Sequence, residues 1–169
     1  NFTKNDDKKL IKNNKVLIID CHSLPKLPIP NELNQNINRP EICIGTDNFH
    51  TSEKLQNLFI EVFKGFNFTI KLNDPFNGSI VPHKYYNKDK RVQSVMIEVR
   101  RDLYMNEHSG EKNKKFYEFA NQKFSYQDSN ILVLFGIQSK KSNECALFNP
   151  IIVKGMNFIL PPLGGEQSK

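Results

Sequence analysis

Lys15-Val16-Leu17-Ile18-Ile19-Asp20-Cys21-His22-Ser23 is the stretch that decides the fold. Its first half is an aliphatic, largely β-branched run without a polar interruption, the pattern of a strand buried on both faces. At Asp20 the run gives way to ionisable and hydroxyl side chains. Open α/β sheets place their chemistry at the carboxyl ends of such strands, where the loops diverge and leave a crevice. The next segment, Leu24 to Pro40, holds four prolines and several asparagines and is expected to be neither helix nor central strand. Irregular stretches of that length in compact domains are usually functional or mobile.

The pattern then alternates. Glu41 to Asp47 reads as a second short strand ending in Gly45-Thr46-Asp47. Thr51 or Ser52 is placed to cap a helix whose inner face carries Leu55, Leu58, Phe59, Val62 and Phe63, with Gly65 expected as its left-handed cap. A strand is expected over Phe66 to Leu72, and a turn with Asn77-Gly78 supplying positive φ follows. Arg91 to Val99 is a further strand, interrupted by the single carboxylate Glu98. Lys112 to Lys123 reads as an amphipathic helix with Phe116, Phe119 and Ala120 facing inward, and Ile131–Gly136 and Pro150–Val153 as strands. The expectation is one α/β domain over residues 1–169, a mixed sheet flanked by helices.

Composition narrows the class. With 169 residues, 38% of them hydrophobic and 13 of them Phe, the chain can build a real core despite a mean hydropathy of −0.55. Cys21, Cys43 and Cys145 are too scattered for a disulfide scaffold and lack CxxC spacing, which points to a reducing cytoplasm. No apolar run reaches the roughly 20 residues of a membrane span. The net charge of +6 comes from cations interleaved with acids along the chain, a pattern that argues against a nucleic-acid-binding face and suits a small anionic substrate better.

Four sites of polar chemistry stand out. His22, with Asp20 two residues before it to orient the ring, is a candidate zinc ligand. Asp47 and Asn73 follow two other strands. Glu98 lies inside an apolar strand, where a carboxylate must be paired, hydrogen-bonded or used. If these strands lie side by side, their ends meet in one crevice. His50 is expected to be exposed before its helix, and His83 and His108 are expected in solvated loops.

Asp20-Cys21-His22-Ser23, Glu41-Ile42-Cys43-Ile44-Gly45-Thr46-Asp47, Lys71-Leu72-Asn73-Asp74-Pro75-Phe76-Asn77-Gly78 and Met96-Ile97-Glu98-Val99-Arg100-Arg101-Asp102-Leu103-Tyr104-Met105 together resemble the N-formylglutamate amidohydrolase family, in the family's order and at similar spacing. The resemblance implies a phosphorylase/hydrolase-like fold, similar to the zinc carboxypeptidases, and hydrolysis of a small amide: N-formylglutamate to formate and glutamate, or a related substrate. It implies His22 as a metal ligand and Glu98 as the general base on metal-bound water. It also implies Arg101 or Arg91 as partner of a substrate carboxylate, and Asp47 and Asn73 as polar positions of the crevice. Zinc is the implied cofactor. Its other ligands belong, by the resemblance, to a Pro-His-Ser-Gly-like segment that this sequence lacks, so they are expected upstream of residue 1, on an N-terminal segment or another chain completing the site. The chain then reads as about two-thirds of an enzyme domain. The alternative is a non-catalytic remnant or binding domain of the same fold that has lost the metal.

Overall fold

The structure, a computed structural model, describes residues 15–115, 134–138, 147–151 and 157–159, with side chains over 15–115. Strand β1 (Val16–Leu24) and strand β4 (Val92–Arg100) form the centre of a mixed five-stranded sheet. Strands β2 (Ile42–Gly45) and β3 (Ile70–Leu72) lie on one side, and β7 (Asn157–Ile159) on the other, in the order β3-β2-β4-β1-β7. A separate antiparallel pair is made by β5 (Leu134–Gln138) and β6 (Leu147–Ile151). These two overlap the strands expected at 131–136 and 150–153. Among the described residues no helix is long and apolar enough to cross a membrane.

The central strands earn their place by burial on both faces. Leu17, Ile19, Val95, Ile97 and Val99 point to one side and pack with Ile42 and Ile44 against Leu55, Leu58, Phe59, Val62 and Phe63 of helix α1 (Glu53–Lys64). Val16, Ile18 and Val92 point to the other side, under Tyr85 and Val81. Ser52 caps α1 by accepting from the Leu55 amide, as its position before the apolar face predicts.

The other end of the helix corrects the expectation. Gly65 keeps right-handed φ of −58°, and it is Asn67, at φ 60°, that takes the left-handed position. The Phe68 amide reaches back to the Phe63 carbonyl at 3.3 Å and the Asn67 amide to the Lys64 carbonyl at 2.9 Å, the six-to-one and reverse-turn bonds of a Schellman ending. Residues 66–69 are consumed by this ending, so the strand expected from Phe66 is only Ile70–Leu72. Of the helix expected over Lys112–Lys123, residues from 116 on lie outside the described ones; Lys112 instead bridges Met105, and 114–115 form a turn.

Register fixes what lies beside what. β1 and β4 are parallel, with His22 opposite Glu98. β2 runs antiparallel to β4, with Cys43 opposite Glu98, and β3 runs parallel to β2, with Lys71 opposite Cys43. One row across the sheet therefore reads Lys71, Cys43, Glu98, His22. Because side chains alternate along a strand, all four stand on the face opposite α1. At Gly45 this face is tight: a Cβ there would meet the Gly78 carbonyl oxygen and the Met96 side chain.

Candidate active site

β1 does not stop at Asp20. It continues to Leu24, so Asp20 and His22 are alternate residues of one strand and share its face. The His22 Nε2 lies 2.8 Å from the Asp20 Oδ1, which orients the ring and leaves Nδ1 as its remaining nitrogen. That hydrogen bond raises the His22 pKa above the ordinary imidazole value, against the opposing pull of burial. The ring is half exposed, while Asp20 is 7% exposed.

Glu98, 7% exposed, sits next to this pair on the neighbouring strand. Burial pushes its carboxyl up to about 7. The charges of His22, Arg101 and Arg39 work in the opposite direction and that of Asp20 adds to the rise. A carboxyl poised near neutrality can both take and return a proton under physiological conditions, which is the property a general acid–base group needs.

Two guanidinium groups flank the carboxyl end of β1. Arg101, in the short 3₁₀ turn Arg101–Leu103 after β4, donates from Nε to the Ser23 Oγ and from Nη2 to the Ser23 carbonyl, each at 3.1 Å. Arg39, just before β2, is 5% exposed. It pairs through Nη2 with Glu32, donates to the carbonyls of Pro25 at 3.4 Å and Asn34 at 3.3 Å, and lies 5.8 Å from the Phe76 ring centroid. Nothing in its sequence context, an arginine in an asparagine-rich loop, marks it as buried.

The remaining expected site residues fall elsewhere. Because β2 and β3 run opposite to β4, their carboxyl ends point away from the edge formed by Ser23 and Arg101. Asp47 spends its Oδ1 on the amides of Phe49 and His50, at 2.9 and 2.8 Å, and shapes the turn into α1. Asn73, at φ 54°, closes a reciprocal pair with Thr46, its Oδ1 accepting from the Thr46 amide and its Nδ2 donating to the Thr46 hydroxyl, both at 2.8 Å. Arg91 stands before the first residue of β4, seven positions and about 23 Å along the strand from Glu98, and its guanidinium is engaged by Asp89. The strand ends therefore do not all meet in one crevice. Antiparallel pairing of β2 with β4 separates Asp47, Asn73 and Arg91 from the His22–Glu98 edge.

His50 is also a correction. It is fully buried, with Nδ1 2.7 Å from the Val92 carbonyl and Nε2 accepting from the Asn87 amide at 2.9 Å. This pins the 80–90 loop to the start of β4. His83 and His108 are exposed, as their loop contexts predict.

Among the described residues no group of three or more His, Cys, Asp and Glu is disposed to hold a metal ion. His22 with its Asp20 partner has the chemistry of a single zinc ligand, an imidazole oriented by a carboxylate. It does not make a zinc site alone.

The model of the N-formylglutamate amidohydrolase family matches residues 7–105. The fold is also similar to the crystal structure of N-formylglutamate amidohydrolase from Ralstonia eutropha JMP134, at a TM-score of 0.53 and 25% sequence identity. That similarity covers 69% of this chain and 42% of that one, so the chain matches less than half the length of its solved relative. No curated protein matches it. The matched span holds β1 to β4, the Asp20–His22 pair, Glu98 and Arg101, and the chain belongs to the N-formylglutamate amidohydrolase family.

Proposed function

We propose that the protein hydrolyses a small amide that carries carboxylates, N-formyl-L-glutamate or a closely related N-acyl amino acid, with Glu98 as its general acid–base residue. The observation that carries this reading is Glu98 itself: a carboxyl held inside a sheet, raised to about 7, next to an imidazole oriented by Asp20. In amide hydrolysis the attacking water must lose a proton and the leaving nitrogen must gain one. A single carboxyl that is half ionised near pH 7 can do both in turn. Arg101, anchored to Ser23 through Nε and Nη2, would meet a substrate carboxylate through Nη1.

Zinc is part of this proposal. His22 is the ligand that this reading assigns, and further donors would come from outside the described residues, on an N-terminal segment or a separate chain. Bound there, zinc would serve as a Lewis acid toward the amide carbonyl. A cytoplasmic, non-membrane setting with a small anionic substrate completes the reading.

Formate release from N-formyl-L-glutamate by the full gene product tests it directly, and absence of turnover across N-formyl and N-acetyl dicarboxylic amino acids would defeat it. The second reading, a remnant domain that keeps the fold without the metal, rests on the lack, among the described residues, of any group of three or more His, Cys, Asp and Glu that could hold a metal ion. Metal analysis separates the two: about one equivalent of zinc, lost in His22→Ala, supports the enzyme, and less than about a tenth of an equivalent in the full gene product supports the remnant.

A further inference from the structure

Arg39 is a charged group in a place where the fold gives little reason for one. Its side chain is buried under the loop that joins β1 to β2, and its guanidinium has five N–H donors in a planar fork. Nη1 and Nη2 reach Pro25, Asn34 and Glu32, but Nε is buried without a hydrogen-bond partner. An unsatisfied donor of a buried charged group is costly. Glu32 engages only one nitrogen of the fork. The edge formed by Nε and Nη2 is the one that a carboxylate fills with two parallel bonds.

The loop that carries Glu32 is fastened by polar latches and hardly by packing. Leu27, Ile29, Leu33 and Ile37 are 60%, 52%, 105% and 73% exposed. The loop meets the rest of the fold through Asn34 to Asp74 at 2.7 Å, Lys71 to the Asn38 carbonyl at 3.0 Å, the Lys26 amide to Glu107 at 2.7 Å, the Lys26 ammonium to Asp102 at 3.5 Å and, at its end, Arg100 to the Arg39 carbonyl at 2.9 Å. With so little apolar area to expose, displacing its middle, around Glu32, carries a small hydrophobic penalty.

Arg39 donates to the Pro25 carbonyl and Arg101 to the Ser23 carbonyl, acceptors two residues apart, one inside the end of β1 and one just beyond it. Two guanidinium groups about 7 Å apart in anchoring point, at the edge where Glu98 stands, suit a ligand with two carboxylates.

We propose that Arg39 is a second carboxylate-recognition residue of this site, that Glu32 occupies its guanidinium when no ligand is bound, and that a dicarboxylate displaces Glu32 and fills the Nε–Nη2 edge. The proposal deepens the amidohydrolase reading and rests on it for the identity of the ligand. Selectivity for dicarboxylic over monocarboxylic amides follows, as does a built-in competition in which the loop acid holds the site against weaker anions.

Binding of glutarate and of butyrate to the full gene product, measured by calorimetry for the wild type, Glu32→Gln and Arg39→Lys, tests it. Glu32→Gln is expected to tighten glutarate about fivefold or more, since the competing acid is gone. Arg39→Lys is expected to weaken glutarate about tenfold or more while changing butyrate little, because an ammonium cannot present the planar fork. Unchanged glutarate affinity in Glu32→Gln overturns the proposal even if Arg39→Lys fails to fold, and so does a failure of every form to bind glutarate. Formate release assayed on the same preparations separates the two levels. Turnover with glutarate binding indifferent to both substitutions removes Arg39 and leaves the amidohydrolase reading, whereas the expected shifts without turnover keep the carboxylate site and remove that reading.

Discussion

Replacing Glu98 by glutamine should make the metal-free protein more stable above neutral pH, although it removes the residue proposed to do the chemistry. The magnitude follows from burial. A free glutamate titrates at 4.5, and in the fold the Glu98 carboxyl is pushed up to about 7. Between those values the native state holds a proton that the unfolded chain has released, so stability falls as pH rises through the window and stays lowered above it. At about 1.4 kcal/mol per pH unit, the charged carboxylate costs the fold about 3 kcal/mol at pH 8. Below 4.5 both states hold the proton and the penalty disappears. Glutamine has nearly the same shape and carries no charge, so Glu98→Gln should escape the penalty at every pH. Urea denaturation in the presence of a chelator, at pH 4.5 and pH 8, measures it. The wild type is expected to lose about 3 kcal/mol relative to the variant on going from the lower pH to the higher. Equal pH dependence of the two proteins, or a variant less stable at pH 8, would refute the claim that Glu98 is held against its own solvation.

Arg101→Ala should raise the KM for a carboxylate-bearing amide about tenfold or more, while Arg91→Ala, at the far end of β4 and engaged by Asp89, should leave kcat/KM within about twofold; steady-state kinetics of the pair decides which arginine meets substrate. The Lys71 ammonium, 2.8 Å from Asp74, holds that carboxyl below the usual carboxylate range. Its contribution to stability is therefore present above the unfolded value of 3.8 and is lost as pH falls through the lower folded value. The gap between wild type and Asp74→Asn in thermal melts should accordingly close between pH 6 and pH 2, and a gap that widens toward acid would reverse the sign of this pairing. Gly45→Ala should cost about 1–3 kcal/mol, because its Cβ would meet the backbone carbonyl of Gly78, which cannot move aside as a side-chain tip can; a neutral effect in denaturant titration would mean that the 73–79 loop is loosely placed.

Much of the fold was legible from residue pattern. The unbroken run from Val16 to Ile19 announced a central strand, the spacing of Leu55, Leu58, Phe59, Val62 and Phe63 announced an amphipathic helix, and Thr51-Ser52 announced its start without deciding which of the two is the cap. Strand direction was not legible. Parallel and antiparallel strands share one side-chain alternation, so nothing in Glu41 to Asp47 reveals that β2 runs against β4. That single unknown decided the fate of Asp47 and Asn73. Gly65 looked like the left-handed cap, but Asn67 takes that conformation because asparagine tolerates it and the chain has two further residues in which to turn.

The site was half legible for a similar reason. Asp20, His22 and Glu98 stand out because ionisable residues in apolar strands are expensive, and the register then places them side by side. Arg39 and His50 do not stand out. Both lie in polar loop sequence, and their burial depends on chain segments more than ten residues away, Pro25 and Phe76 for one and Val92 and Asn87 for the other.

Glu98 is proposed to move the proton in hydrolysis of a carboxylate-bearing amide. The most direct measurement is the rate of formate release from N-formyl-L-glutamate by the full gene product and its Glu98→Gln variant, at matched zinc content and with folding verified. A loss of at least about a hundredfold in kcat, with zinc unchanged, is expected. Turnover within a fewfold of wild type by a folded, zinc-matched Glu98→Gln protein would contradict it.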